Sequence, residues 1–195
     1  MGGPVGILSK LSGFHTAGEG PNEVHREKYG LPARSLYTEL KPGDLHQKIE
    51  VKDEQGRTLY WTKSSVIAIK GKTDIFDASG AQVAHLEKKP ISLHEKHYIT
   101  MADGQNFTLS NELFHLVRDI TNIEGLGWQL QGDVIGLNFT LFDQNGDPVA
   151  FIGQKMISLH NRCSIDLYQP QHEKVVVAIV IQLQKMLTAR RENNN

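Results

Sequence analysis

Residues 175–181 read Val-Val-Val-Ala-Ile-Val-Ile, and Gln182-Leu-Gln-Lys-Met-Leu187 carries the apolar pattern onward. Pro170 before the run, Glu173 at its start and Arg190 and Arg191 beyond it suit a helix, by proline placement and by charge against the helix dipole. The β-branched residues pull toward a strand, since each loses χ1 freedom in a helix. As a helix, the segment is apolar through two full turns with no polar stripe, so it must be enclosed on every side. Fully burying ten large side chains is worth roughly 15–30 kcal/mol gross, before ordering entropy is subtracted. Crossing a membrane takes about 20 apolar residues, and Gln182, Gln184 and Lys185 interrupt this run. A sheet wrapped round the helix satisfies it, with Val175, Val176, Ala178, Ile179, Val180 and Leu183 as the expected helix core.

The rest of the chain supplies such a sheet. Residues 76–99, FDASGAQVAHLEKKPISLHEKHYI, return as 142–165, FDQNGDPVAFIGQKMISLHNRCSI, with 11 identities in 24 ungapped positions at an offset of 66. Residues kept in both copies serve a shared fold more readily than a unique active site. Three breaks share one form, Asp53-x-x-Gly56, Asp77-x-x-Gly80 and Asp143-x-x-Gly146. The aspartate caps its own turn and the glycine takes the positive φ that closes a hairpin. A calcium loop needs more oxygen ligands than these turns hold. Between breaks, strands are expected at 47–52, 58–63, 65–70, 72–76, 83–87, 91–100, 107–110, 113–121, 127–130, 138–142, 149–152 and 157–167. Leu113, Leu116, Val117 and Ile120 fall at helical spacing, so the residues of 113–121 by themselves leave helix and strand both open. About twelve strands with short gaps favour a barrel or sandwich.

Composition bounds the function. At 195 residues with 39% hydrophobic and 22% charged residues, the chain suits one soluble domain. Its formal net charge of -1 supplies no global basic field for nucleic acid. Cys163 is the single cysteine, so an intrachain disulfide and a cysteine-based zinc site are excluded. That fits a reducing, cytoplasmic setting. No secretory signal is expected at the N-terminus, and Gly6 stands where a myristoylation motif wants Ser or Thr. Glycine-rich residues 1–34 are expected as a flexible or loosely docked arm, 35–189 as the barrel, and 190–195 as a polar tail.

Asp77-x-x-Gly80 followed by Ile91-Ser-Leu93, Trp128-Gln-Leu-Gln-Gly132-Asp133, 139–146, 155–159, Ile165-Asp-Leu-Tyr168 and the run 175–187 together resemble the LURP-one-related family of the tubby C-terminal-like superfamily. Relatives there include bacterial proteins of unassigned function and the phospholipid scramblases. The resemblance spans roughly 36–187. It implies a mainly β fold, a twelve-stranded closed antiparallel barrel enclosing the C-terminal hydrophobic helix. Tubby proteins bind phosphoinositide headgroups through basic side chains, but no local motif here maps those positions. The acidic calcium-binding stretch of scramblases has only Asp166 between 165 and 172, with Glu173 next. Relatives often carry an acid near the end of the helix, where this chain has Gln182 and Gln184.

Nine histidines raise a metal or acid–base reading. His94 and His97 are three apart, which on a strand sends them to opposite faces. His94 recurs as His160, which fits a structural element. No spacing signature supports catalysis by His97, Asp103 or Asp119. Ser92 and Ser158 lack nucleophile-elbow glycines, and no phosphate loop occurs. Cys163 reads as a small packing residue. The expectation is therefore a non-enzymatic domain without cofactor or metal. If Ile91, Leu93 and Ile99 face the helix, Ser92, His94 and Lys96 face outward, and Ser158, His160 and Arg162 repeat them. Such a stripe offers hydrogen bonds to the phosphate oxygens of a lipid headgroup at a membrane surface, without a transmembrane span. An ordinary solvated strand face and a soluble protein-interaction module are the competing readings.

Overall fold

The computed structural model describes residues 21–40, 48–64, 71–89, 96–110, 120–155 and 162–193. A helix, α1 (Pro21–Tyr29), precedes twelve strands. They are β1 (Arg34–Leu40), β2 (Ile49–Asp53), β3 (Thr58–Ser64), β4 (Lys72–Asp77), β5 (Gln82–Lys89), β6 (Lys96–Met101), β7 (Asn106–Ser110), β8 (Ile120–Ile123), β9 (Trp128–Asp133), β10 (Asn138–Phe142), β11 (Pro148–Lys155) and β12 (Arg162–Leu167). A 3-10 turn at Pro170–His172 leads into α2 (Glu173–Asn193).

The strands form one antiparallel sheet in the order β7-β6-β5-β4-β3-β2-β1-β12-β11-β10-β9-β8. The expected closed barrel is nearly closed. Among the described residues, β7 and β8 meet in one bridge, where Thr108 N–H donates to the Glu124 carbonyl at 2.9 Å. Beside that bridge Gly125 sits at φ +95°, and a Cβ there would lie 2.8 Å from the Asn106 carbonyl oxygen. Only glycine permits this approach of backbone to backbone.

The sequence repeat is a structural two-fold. Strands β4, β5 and β6 map onto β10, β11 and β12 at the offset of 66, and each pair of hairpins carries the same bulge, after Ile75 and after Leu141. Closure repeats as well. Phe107 pairs with Ile99 and Leu109 with His97 in one half, as Leu36 pairs with Ile165 and Thr38 with Cys163 in the other.

Inside the ring runs α2. Every residue from 175 to 184 is buried, and Val176 through Ile181 and Leu183 have no exposed surface at all. Ten successive helical positions sample every direction about the axis, so walls stand all round the helix. All six expected helix-core residues lie in this stretch. The walls contribute the alternate inward residues of each strand, such as Leu36, Val51, Ile75, Ile99, Leu130, Leu141 and Ile165.

Strand β1 has no counterpart in the expected set. Its buried inward residues include Leu36 and Thr38, a thin apolar signal after Pro32, and pairing with both β2 and β12 holds it. The strand expected at 65–70 lies outside the described residues, as do 91–95 of the strand expected at 91–100, 113–119 of that at 113–121 and 157–161 of that at 157–167. The segment expected as an arm contains α1, which packs on β11; its residues 1–20 lie outside the described set. Helix α2 continues through Arg190 and Arg191 to Asn193.

Candidate functional site

The meander gives the barrel two unlike ends. At the base, where α2 enters, lie the aspartate turns. Asp53 Oδ1 accepts from the N–H groups of Gln55 (3.0 Å) and Arg57 (2.8 Å). Asp77 Oδ1 accepts from the Ser79 hydroxyl (2.6 Å), Ser79 N–H (2.9 Å) and Ala81 N–H (3.1 Å). Asp143 Oδ1 accepts from the N–H groups of Asn145 (2.8 Å) and Asp147 (3.0 Å). Gly56, Gly80 and Gly146 follow at φ near +80°. These carboxylates are occupied by their own turns, as the turn reading requires. Among the described residues no group of three or more His, Cys, Asp or Glu is placed to hold a metal ion.

At the rim, where α2 emerges, the charge reverses. Strand direction places Lys48, Lys63, Lys72, Lys88, Lys89, Lys96, Lys155, Arg162, Lys185, Arg190 and Arg191 in the rim half, against Glu39, Glu50, Asp74, Glu87, Asp133 and Glu192. The base carries Asp53, Glu54, Asp77, Asp103, Asp143, Asp147, Asp166 and Glu173 against Lys52, Arg34, Arg57 and Lys174, with Arg26 of α1 beside Asp166. Among the described residues, cations thus outnumber carboxylates in the rim half and carboxylates outnumber cations at the base. Many rim cations are tied locally: Lys48 to Glu50 (3.0 Å), Lys72 to Glu87 (3.2 Å) and Lys96 to Glu124 (3.0 Å).

Of the six expected headgroup residues, Ser92, His94, Ser158 and His160 lie outside the described residues. Lys96 opens β6 and Arg162 opens β12, both at the rim. Alternation holds where it is visible: His97, Ile99 and Met101 are buried, while Lys96, Tyr98 and Thr100 face outward. In the ring of strands β6 and β12 stand six places apart, on opposite sides. Lys96 and Arg162 therefore stand at opposite edges of the rim and do not share one pocket.

Below the rim the interior is polar. Gln182 Nε2 lies 2.9 Å from His97 Nδ1, and Gln184 Nε2 donates to Thr38 Oγ1 at 2.6 Å. Lys185 Nζ donates to Ser64 Oγ at 3.1 Å, and burial lowers its pKa. The two glutamines thus meet the wall where an acid would need a counter-charge. His97 was legible in principle, because it shares parity with Ile99 on an inward face. Burial pushes the Cys163 thiol up to about 12, against a weaker pull from Thr38, so it is an inert packing group.

On the outer wall, α1 covers the second half of the barrel. Arg26 grips the buried Asp166 with Nε at 2.9 Å and Nη2 at 3.0 Å, and Ser35 Oγ donates to the same carboxylate at 2.7 Å. His25 lies 2.6 Å from Thr140 Oγ1 and packs between Tyr29 and Phe151. The groove of about 380 Å³ at the foot of α1 holds Arg26, Arg34 and Arg57. Each is paired, with Asp166, Glu173 and Asp53 respectively, so the groove has no spare positive charge to offer an anion.

A family model described as LURP-one-related matches residues 34–184, from the first residue of β1 to the polar layer of α2. The chain belongs to the LURP-one-related family. A crystal structure of a protein from Arabidopsis thaliana is similar to it with a TM-score of 0.50 at 13% identity, covering 82% of this chain and 94% of that one. At that identity the likeness concerns the fold alone. A search of curated proteins finds no match. The match of this LURP-one-related barrel leaves α1 outside its span.

Proposed function

We propose that this LURP-one-related barrel is a non-catalytic binding domain whose rim docks on anionic phospholipid headgroups. The observation that carries the reading is the segregation of charge along the axis among the described residues, with lysines and arginines in excess in the rim half and carboxylates at the base. Near an anionic surface each basic residue contributes about 1 kcal/mol within a Debye length. A polarised barrel is oriented by such a field even when its net charge is near zero. The interior supports a non-catalytic role, because α2 fills the space in which a barrel would hold a substrate. No helix among the described residues is long and apolar enough to cross a membrane.

Sedimentation with phosphatidylserine or phosphoinositide vesicles tests the reading. Binding is expected to fall with salt and to weaken in the double variant Lys96→Glu, Arg162→Glu, while Arg57→Glu at the base leaves it intact. Absence of wild-type binding at low salt ends the proposal.

A protein-interaction module is the second reading, and one observation favours it. Trp61 and Phe76 stack at 4.7 Å on the outer wall, with Lys48 Nζ 5.4 Å from the indole. Aromatic pairs with a neighbouring cation are frequent anchors of protein interfaces.

A further inference from the structure

Between α1 and strands β8, β9 and β10 runs a groove of about 410 Å³, within the size range of small-molecule sites. Its lips are Val24 on α1 and Ile120 on β8, exposed by 48% and 49%. Tyr29 and Phe142 form its inner wall, with ring centroids 6.1 Å apart. On its floor the Thr140 hydroxyl is already engaged with His25. At one mouth stands Lys28, exposed, with Nζ 4.8 Å from the centre of the Tyr29 ring.

The barrel's own two-fold supplies a comparison. Phe76 is the counterpart of Phe142 at the offset of 66, and there the wall is filled by Trp61 stacked upon it. Phe142 instead pairs in register with Gln129, and Tyr29 of α1 meets its ring edge-on at 6.1 Å. The groove is thus a product of α1 and not a general property of the sheet. Apolar lips, a floor hydroxyl already bonded and one cation at the mouth describe a particular ligand chemistry. We propose that the groove takes the alkyl chain of an anionic amphiphile, with its acidic head at Lys28. The site lies on the outer wall, so it stands or falls apart from headgroup docking at the rim.

Fluorescence titration of the full chain with cis-parinaric acid, displaced by decanoate, tests it. Saturable binding is expected, weakened about tenfold or more in Ile120→Glu and in Val24→Glu, because each replaces an exposed apolar lip with a charge against the alkyl chain. Lys28→Glu is expected to weaken decanoate and to spare decanol. Trp61→Ser, in the other half, is expected to change neither. Displacement by phosphatidylserine vesicles as well as by decanoate would assign the chain to a membrane lipid, and displacement by decanoate alone to a free fatty acid. No saturable binding, binding indifferent to both lip variants, or equal loss in Trp61→Ser would overturn the proposal. Lys96→Glu with Arg162→Glu leaves the groove intact, so loss of vesicle binding with retained decanoate binding separates the two sites.

Discussion

Single residues in this molecule are held by short local bonds or by one long-range partner, and the two classes answer differently to substitution. Asp77 is of the first class. The Ser79 hydroxyl, aided by the N–H groups of Ala81 and Ser79 and opposed by burial, holds its carboxyl below the ordinary 3.8. The folded value is thus below the unfolded one. Its contribution is complete above about pH 4 and is lost as pH falls through the folded value. Asp77→Asn should therefore be less stable than wild type at neutral pH and converge on it as pH falls through the folded value, in a series of thermal melts. Asp166 is of the second class, a buried carboxylate gripped by Arg26 across 140 residues of sequence. Arg26→Met should cost roughly 2–3 kcal/mol in urea unfolding, below the range for wholly buried pairs because Arg26 itself reaches solvent. Adding Asp166→Asn should recover much of that loss. The Asp77 turn was legible from four residues. The Arg26–Asp166 pair was not, because nothing near either residue names the other.

At the scale of elements, legibility follows the strength of the local pattern. Strand β10 falls where alternation and the flanking turn place it, at 138–142. Strand β1 carries little local signal, yet it joins the two halves of the sheet through β2 and β12. Its pairing is fixed by both neighbours, which sequence alone does not bring together. The β7–β8 seam is the least paired joint among the described strands, and Gly125 holds its backbones close. Gly125→Ala should cost about 1–3 kcal/mol, since positive φ and the approach to Asn106 both oppose a Cβ. Faster amide exchange at Thr108, with exchange in β1 unchanged, would mark the seam as the place that opens. Helix α1 docks through side chains whose partners lie in β10, β11 and β12, so its seat too was invisible locally.

Across the whole molecule, α2 is the shared core of two six-stranded halves. Ile179→Ala should cost about 2–5 kcal/mol, the range for deleting a buried branched side chain from a close-packed interior. Because both halves rest on the same helix, they should unfold together. Trp61 reports the first half and Trp128, beside His172 at the base, the second. Trp61→Phe and Trp128→Phe variants should each give one fluorescence transition that coincides with the loss of circular dichroism. Two separated midpoints would show that the halves do not share one core.

By itself the sequence determined the repeat, the aspartate turns and the need to enclose an apolar helix, because each is a periodicity or a composition within a few residues. The outward stripe was an expectation from alternation, and of its six residues Lys96 and Arg162 fall at the rim while the other four lie outside the described residues. Only the tertiary structure decided that β6 and β12 stand on opposite sides, that charge separates between base and rim among the described residues, and that α1 leaves a groove beside Phe142. Those features depend on strand order and on contacts between residues far apart in the chain. Alternation specifies which face a residue takes and is silent about which element will lie against that face.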